Sequence, residues 1–240
     1  VSEPYALWAI ECDPSALRVA FPIDVRGPSD AEPPVVIAAD IEFYRERKIR
    51  LLNGTHSAVA PLALLAGVPL VRQALEHAQL GPFLRRVLFS EIVPVVDLPR
   101  RDATAFAATV EDRLRNPWLD HEWRVIAGDQ TAKMRLRVIP SIAAFTNATG
   151  VCPEGLALGF AAYVRYVRCV ARSSPSEGTG WWRGESYPIS DADLAAVTRH
   201  WEAVDPKLAR APIPTAALER VAASVLADAE LWGRDLSFRG

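Results

Sequence analysis

Two rhythms of apolar residues run along this chain. Near its start, Ala6-Leu-Trp-Ala-Ile10 and Val35-Val-Ile-Ala38 are short apolar runs with aromatic or β-branched members, separated by a segment rich in Pro, Asp and Gly. They predict a small N-terminal sheet. From Ile41 onward the apolar positions recur at helical spacing, and the pattern predicts helices over 41–52, 57–65, 70–79, 82–92 and 102–114. Asp102 and Thr104 are candidate N-caps for the last of these, because a short side-chain oxygen can accept from an unpaired backbone N–H. A further helix is predicted over about 119–138, then a polar, glycine-containing turn and an apolar core segment over 155–170. By composition, residues 173–187 (SSPSEGTGWWRGESY) read as a surface loop whose paired tryptophans pack on something. Helices over 191–204 and 215–231 complete the pattern, with no internal repeat. The expected fold is a mainly α-helical domain with a small β element near the N-terminus.

Composition narrows the function classes. At 240 residues, half of them apolar and 23% charged, the chain can bury a core as one large domain or two small ones. Its 27 basic and 29 acidic residues are spread along the sequence and leave a formal net charge of -2, so no field of one sign draws a polyanion and nucleic acid is not an expected partner. The nearly uncharged stretch 58–71 is shorter than a bilayer requires and is interrupted by Pro61, Gly67 and Pro69. It predicts a buried core helix and its exit turn, and no membrane association is expected. Nothing at the start reads as a secretion signal, which makes the cytoplasm the expected compartment. Because the chain opens on Val1 and its single methionine is Met134, a fragment or processed product is expected.

Metal and nucleotide chemistry find little support. Cys12, Cys152 and Cys169 are odd in number, far apart and without a CxxC pair, which argues against a disulfide framework and a thiolate metal site; they are expected to fill the core. His77, His121 and His200 lack metal-ligand spacing and are expected to be ordinary surface or core residues, so no metal is anticipated. No GxGxxG follows a strand, no GxxxxGK[ST] occurs, and Gly178-Thr-Gly180 is not flanked as a phosphate loop requires.

The chemically suggestive segment is Lys48-Ile-Arg-Leu-Leu-Asn53-Gly-Thr-His56, where charged sequence gives way to the apolar run. Asn53 and His56 are three apart and share a helix face. On an unbroken helix of about 3.6 residues per turn, Lys48 would point roughly 140° away from Asn53, so it must reach round or precede the helix start. Such a trio suits reduction of a ketone: an amide N–H and an imidazole N–H hold the carbonyl oxygen while an ammonium group delivers a proton. In the oxidative direction the lysine is the base, which needs its pKa brought down from about 10.4 towards neutrality by burial beside cations such as Arg47 or Arg50. Asn53-Gly54 is equally a hairpin-turn signal, and a lysine in YRERKIR equally fits a solvated helix face.

Taken together, Glu3-Pro-Tyr5 with Trp8, the Lys48 to His56 segment, Asn116-Pro117 and Asp129-Gln-Thr-Ala-Lys133 resemble the C-terminal domain of the long-chain mannitol dehydrogenase family. The KxxxxNGxH spacing is the specific part. Within that family, Glu91-Ile-Val-Pro-Val-Val-Asp-Leu-Pro99, Arg135-x-Arg137-x-x-Pro140 and Tyr187-Pro188 after Arg183-Gly184 are most similar to the tagaturonate reductase branch, also called altronate oxidoreductases. Fructuronate reductases and mannitol 2-dehydrogenases are the near alternatives. The resemblance implies one substrate and catalytic domain over 1–240, with a β-containing lead-in over 1–40 and a helical body over 41–240. It also implies metal-independent hydride transfer from NADH to a ketose carbonyl, with Lys48 as acid/base and Asn53 and His56 as the oxyanion-binding pair.

By the same resemblance Lys133 is a substrate contact, while Gln130 stands where the family has glycine, a departure that bears on the local turn. Arg124 lies one residue out of register with a substrate-binding arginine of the family and equally fits a solvated helix residue. A uronate carboxylate needs a cation, which Arg135, Arg137 or Lys133 could supply; the two arginines equally suit a basic helix end. The family's dinucleotide-binding Rossmann domain, which would hold NAD, has no counterpart here and is expected N-terminally in the parent protein. The family's tail is cut short after Leu236, and turnover by this chain alone is not expected. Its expected ligand is a small keto sugar acid or polyol. A non-catalytic ligand-binding or interaction module is the alternative of another class.

Overall fold

In a computed structural model the chain is described at residues 7–13, 35–182, 184–197 and 199. Glu3 to Tyr5, Arg183, His200 and the expected helix over 215–231 lie outside the described residues, and the expected helix over 191–204 is helical at 194–197. The two N-terminal runs form strands β1 (Trp8–Glu11) and β2 (Val35–Ala38), paired in parallel with Trp8 opposite Val35.

The helical body begins with α1 (Glu42–Glu46), continues through a π-helical segment Arg47–Gly54, and runs on into α2 (Thr55–Leu65). As its apolar sequence predicts, α2 is buried all round except at Leu62 and Leu64. It stops at Gly67, whose φ of 78° lets Val68 N–H reach back to the Ala63 carbonyl at 3.0 Å. Next come α3 (Val71–Glu76), α4 (Leu80–Arg85) with a π segment Arg86–Ile92, and α5 (Arg100–Leu114). These agree with the periods read from the sequence. Asp102 and Thr104 do not cap α5: its first residue follows Pro99, Asp102 lies in the first turn, and the Thr104 hydroxyl donates to the Arg100 carbonyl at 2.8 Å. Proline's fixed φ starts the turn, and a carboxylate there still favours the dipole.

The helix expected over 119–138 is broken. Residues 119–122 are extended and bridge the 69–71 segment, then follow α6 (Trp123–Ile126), α7 (Gln130–Lys133), a π segment Met134–Val138 and α8 (Ile139–Thr149). The break is at Asp129, with φ 49°, whose N–H donates to Ser190 and whose carboxylate accepts from Ala192 N–H at 3.0 Å. Partners far along the chain therefore override local periodicity. Helix α9 (Glu154–Tyr166) crosses α2 so closely that a Cβ at Gly159 would overlap the Ala58 backbone. Leu51, Leu84, Leu88 and Ile92 are each at most 1% exposed in the core around this crossing, each burial contributing about 2 kcal/mol.

The stretch expected to be a loop is a second sheet. Strands β3 (Cys169–Arg172), β4 (Glu177–Trp182) and β5 (Glu185–Ser190) pair antiparallel in that order. The glycines that read as loop signals make room: a Cβ at Gly180 would overlap the Tyr187 ring, which stacks on Tyr166 at 5.3 Å. Trp182 Nε1 donates to the Leu65 carbonyl at 2.7 Å and ties the sheet to the end of α2. Of the three cysteines, all free thiols, Cys169 is half-buried and packs against the core as expected, Cys12 is half-buried, and Cys152 is exposed and does not fill the core. Among the described residues no helix is long and apolar enough to cross a membrane.

Candidate functional site

The helix that carries Lys48, Asn53 and His56 changes its winding within the trio. A π-turn bonds residue i to i+5, so it brings residues five apart onto one side, where an α-helix would separate them by about 140°. Lys48 and Asn53 are five apart and both lie in the π segment. α-Helical winding resumes at Thr55 and presents His56 one turn beyond Asn53. The sequence motif reads awkwardly on an ideal helix because the helix is not ideal there.

Asn53 and His56 open into a cavity of about 300 Å³. Its apolar wall is Leu52, Val71, Leu114 and Leu119; its polar groups are Asn53, His56, Arg113, Asn116 and His121. No carboxylate lines it among the described residues. Arg113 comes from the last turn of α5, and Asn116 follows that helix, its Oδ1 accepting from Trp118 N–H at 3.0 Å. His121 is set by the extended segment, where Val71 N–H donates to the His121 carbonyl at 2.9 Å.

His56 is buried, with edge-on ring contacts to His121 at 5.5 Å and Trp123 at 5.9 Å. Its Nε2 is buried without a hydrogen-bond partner. Burial, reinforced by the charges of His121, Arg113 and Arg137, lowers its pKa from 6.5 to about 3, so the ring is neutral at physiological pH. A neutral imidazole offers one N–H without bringing a charge of its own.

The other sequence candidates take different positions. Lys48 is exposed, outside the cavity lining, with no hydrogen bond or ion pair among the described residues. It is not buried beside Arg47 or Arg50 as expected. The Arg47 guanidinium packs over Phe106 at 4.5 Å and against Phe43 and Tyr44, and Arg50 pairs with Glu46 at 3.0 Å and donates to the Leu136 carbonyl. Lys133 Nζ donates to the carbonyls of Ile126, at 2.8 Å, and Gly128. Burial lowers its pKa, helped by Arg137. Arg137 Nη1 donates to Ser57 Oγ at 3.3 Å, beside His56. Arg135 is half-buried, with its charge felt at Tyr163. Arg124 lines a separate cavity of about 400 Å³ between the end of α2 and the β4–β5 hairpin.

The structure thus brings Asn53 and His56 together, sets Arg137 one residue away behind Ser57, and leaves Lys133, Arg135 and Arg124 off the cavity wall. Sequence reasoning missed Arg113 and His121. Nothing in the local spacing of His121 sets it apart from an ordinary histidine; the bridge to residues 69–71 brings it to His56. Gln130 needs no glycine-like conformation, since Asp129 takes the positive φ; Gln130 is fully buried and donates to the Ser57 carbonyl at 2.6 Å. No group of three or more metal-ligating side chains occurs among the described residues.

Comparison with known proteins places this geometry in a family. The mannitol dehydrogenase C-terminal domain family matches residues 40–178. The chain is similar to altronate oxidoreductase of Cronobacter sakazakii (strain ATCC BAA-894), 35% identical over 204 residues that cover 85% of this chain and 39% of that protein. It is similar also to altronate oxidoreductase of Escherichia coli (strain K12 / MC4100 / BW2952), at 33% identity with the same coverage. The chain therefore spans 39% of the length of these relatives. Its fold is similar to Pseudomonas fluorescens mannitol 2-dehydrogenase, solved as a ternary complex with NAD and D-mannitol, with a TM-score of 0.60 and 23% identity over 88% of this chain and 45% of that one. It is similar too to D-sorbitol dehydrogenase in substrate-free form, with a TM-score of 0.56 and 19% identity over 85% and 43% of the two chains. With a family match over more than half of its residues and relatives at this identity, the chain belongs to the mannitol dehydrogenase family, of which it carries the C-terminal domain.

Proposed function

We propose that this chain is the substrate-binding and catalytic half of an NAD-dependent oxidoreductase that reduces a keto sugar acid, tagaturonate to altronate. The observation that carries the reading is the pair Asn53 and neutral His56, side by side in a cavity without a carboxylate, with His56 Nε2 buried and unmatched. The names of the relatives support the choice of substrate.

In this reading the substrate's carbonyl oxygen accepts from the Asn53 amide and from His56 Nε2–H, and both donors stabilise the negative charge that grows on it. Lys48, five residues before Asn53 and exposed outside the cavity lining, takes the acid/base role in this reading by swinging its side chain to that oxygen, giving it a proton in reduction and taking it back in the oxidative direction. Lys133, Arg135, Arg137 and Arg124, substrate contacts by the resemblance, do not line this cavity, and Arg124 lines another, so a contact from any of them needs the substrate to reach beyond it.

NAD supplies the hydride when bound. The described residues do not fit the dinucleotide itself: the cavity of about 300 Å³ suits a single sugar acid, and among the described residues no glycine-rich turn joins a strand to a helix. The chain therefore works as one substrate domain beside a Rossmann domain carried elsewhere in a longer, cytoplasmic protein.

The test is NADH oxidation with tagaturonate, fructuronate and fructose by the protein expressed with its natural upstream segment. Turnover of a uronate, lost by about 100-fold or more in Lys48→Ala, is the expected result. Absence of turnover with all three substrates, in a protein that binds NADH, would overturn the reading.

A further inference from the structure

We propose that the cavity of about 400 Å³ between the end of α2 and the β4–β5 hairpin is a second ligand site, which takes a free aromatic amino acid: Arg124 holds its carboxylate, Glu185 its ammonium group, and the rings of Trp182 and Tyr187 its side chain. The site stands apart from the Asn53–His56 cavity and does not depend on the reductase reading.

The separation is built into the fold. Leu70 and Glu122 form a bridge flanked by two backbone bonds, in which Val71 N–H donates to the His121 carbonyl and Trp123 N–H to the Pro69 carbonyl, each at 2.9 Å. Val71 and His121 line the Asn53–His56 cavity, whereas Pro69 and Arg124 line the larger one. The bridge is therefore a wall between the two cavities, and each takes its own ligand. The volume of the larger lies within the range of about 300–1,000 Å³ common to small-molecule sites and suits one amino acid.

The chemistry of the lining selects that ligand. Its aromatic part is held in place: Trp182 Nε1 donates to the Leu65 carbonyl at 2.7 Å, with the Arg165 guanidinium over the Trp182 ring at 4.6 Å. Tyr187 stacks on Tyr166 at 5.3 Å and donates its hydroxyl to the Tyr166 carbonyl at 3.0 Å. Rings already fixed in this way lose little freedom when another ring packs on them. Leu64, Val68 and Pro69 complete the apolar lining.

Two charges of opposite sign border it from separate elements, Arg124 from α6 and Glu185 from β5. Neither has a hydrogen bond or ion pair among the described residues, so they share a cavity without pairing with each other. A molecule that carries a carboxylate and an ammonium group on one carbon satisfies both at once, whereas a plain anion leaves Glu185 unmatched and is repelled by it. The Arg124 charge reaches the Tyr166 hydroxyl, whose pKa burial raises to about 12, so the hydroxyl keeps its proton and is a further donor for the same carboxylate.

The test is calorimetric titration of the protein expressed with its natural upstream segment. The probes are L-phenylalanine, L-tyrosine and L-tryptophan, set against L-alanine, 3-phenylpropanoate and phenethylamine, which lack in turn the ring, the ammonium group and the carboxylate. At least one of the aromatic amino acids should bind about ten-fold or more tightly than each partial analogue. Arg124→Gln and Glu185→Gln should each weaken its binding by about ten-fold or more. In Glu185→Gln the amino acid and 3-phenylpropanoate should draw level, because the ammonium group has lost its partner. Both positions are exposed, and an unchanged urea midpoint shows that the fold is kept. No binding of any aromatic amino acid at millimolar concentration, 3-phenylpropanoate bound as tightly as L-phenylalanine, or full affinity in either variant would overturn the proposal. So would altronate that displaces the amino acid and itself loses affinity in Arg124→Gln, since Arg124 would then belong to the sugar-acid site.

Discussion

Gln130 Nε2 donates to the carbonyl oxygen of Ser57 at 2.6 Å and supplies the hydrogen bond that Pro61 takes away. In an α-helix the Ser57 carbonyl would accept from the N–H of residue 61, and proline has none. The orphaned carbonyl is buried, one residue after His56, so it must find a partner elsewhere. The amide of α7 meets that need and fixes α7 against the helix that carries the site.

Gln130→Ala should therefore destabilise the protein by about 1–3 kcal/mol, read from the urea midpoint, because the Ser57 carbonyl is left buried and unpaired. Pro61→Ala returns an N–H to that carbonyl, so the double variant should lose less than the sum of the two single losses. Strict additivity would show that the two residues do not share the Ser57 oxygen.

His56 makes acid stability a readout of the site. Above about pH 6.5 the ring is neutral in the folded and unfolded chains alike, and contributes nothing to the pH dependence. Between 6.5 and about 3 the unfolded chain binds a proton that the folded chain refuses, so stability falls as pH drops, by on the order of 1 kcal/mol per pH unit. Urea midpoints at about pH 7 and about pH 4.5 should fall more steeply for the wild type than for His56→Asn. Parallel slopes would place the His56 ring in solvent.

Glu91 and Gly155 set the start of α9. The Glu91 carboxylate accepts from Gly155 N–H at 2.8 Å and Leu156 N–H at 2.7 Å, and also from Arg86 Nε at 3.1 Å. A methyl at Gly155 would stand 2.9 Å from both of its oxygens. Gly155→Ala should cost about 1–3 kcal/mol in thermal or urea unfolding. Adding Glu91→Ala removes the clash, so the pair should be less than additive.

Lys133 distinguishes a substrate contact from a structural tie. Its ammonium donates to the carbonyls of Ile126, the last residue of α6, and of Gly128 in the turn before α7. Lys133→Met should lower stability by about 1–3 kcal/mol. A variant with unchanged stability and a raised KM for the uronate would instead make the lysine a direct substrate contact.

Much of this protein was legible along the chain because helical and strand periods are properties of local backbone geometry. The helices up to Leu114, the two N-terminal strands as separate runs, the burial of α2 and the Asn53–His56 spacing each need only neighbours a few residues away, whereas the parallel pairing of those strands joins residues 27 apart. Where tertiary partners outweigh local preference, the pattern misled. Gly178 and Gly180 sit in a strand because Cys169 and Tyr187 need their space, and Asp129 breaks a helical run because Ser190 and Ala192 hold it. The π winding of Arg47–Gly54 does not follow from residue type, and the exposure of Lys48 outside the cavity does not follow from its spacing to Asn53. Residue types and spacing alone point to the chemistry that the Lys48 to His56 segment offers. Only the tertiary structure decided that Arg113 and His121 share its cavity, because that depends on which faces of α5 and the extended segment pack against α2, a matter of long-range packing that no local period encodes.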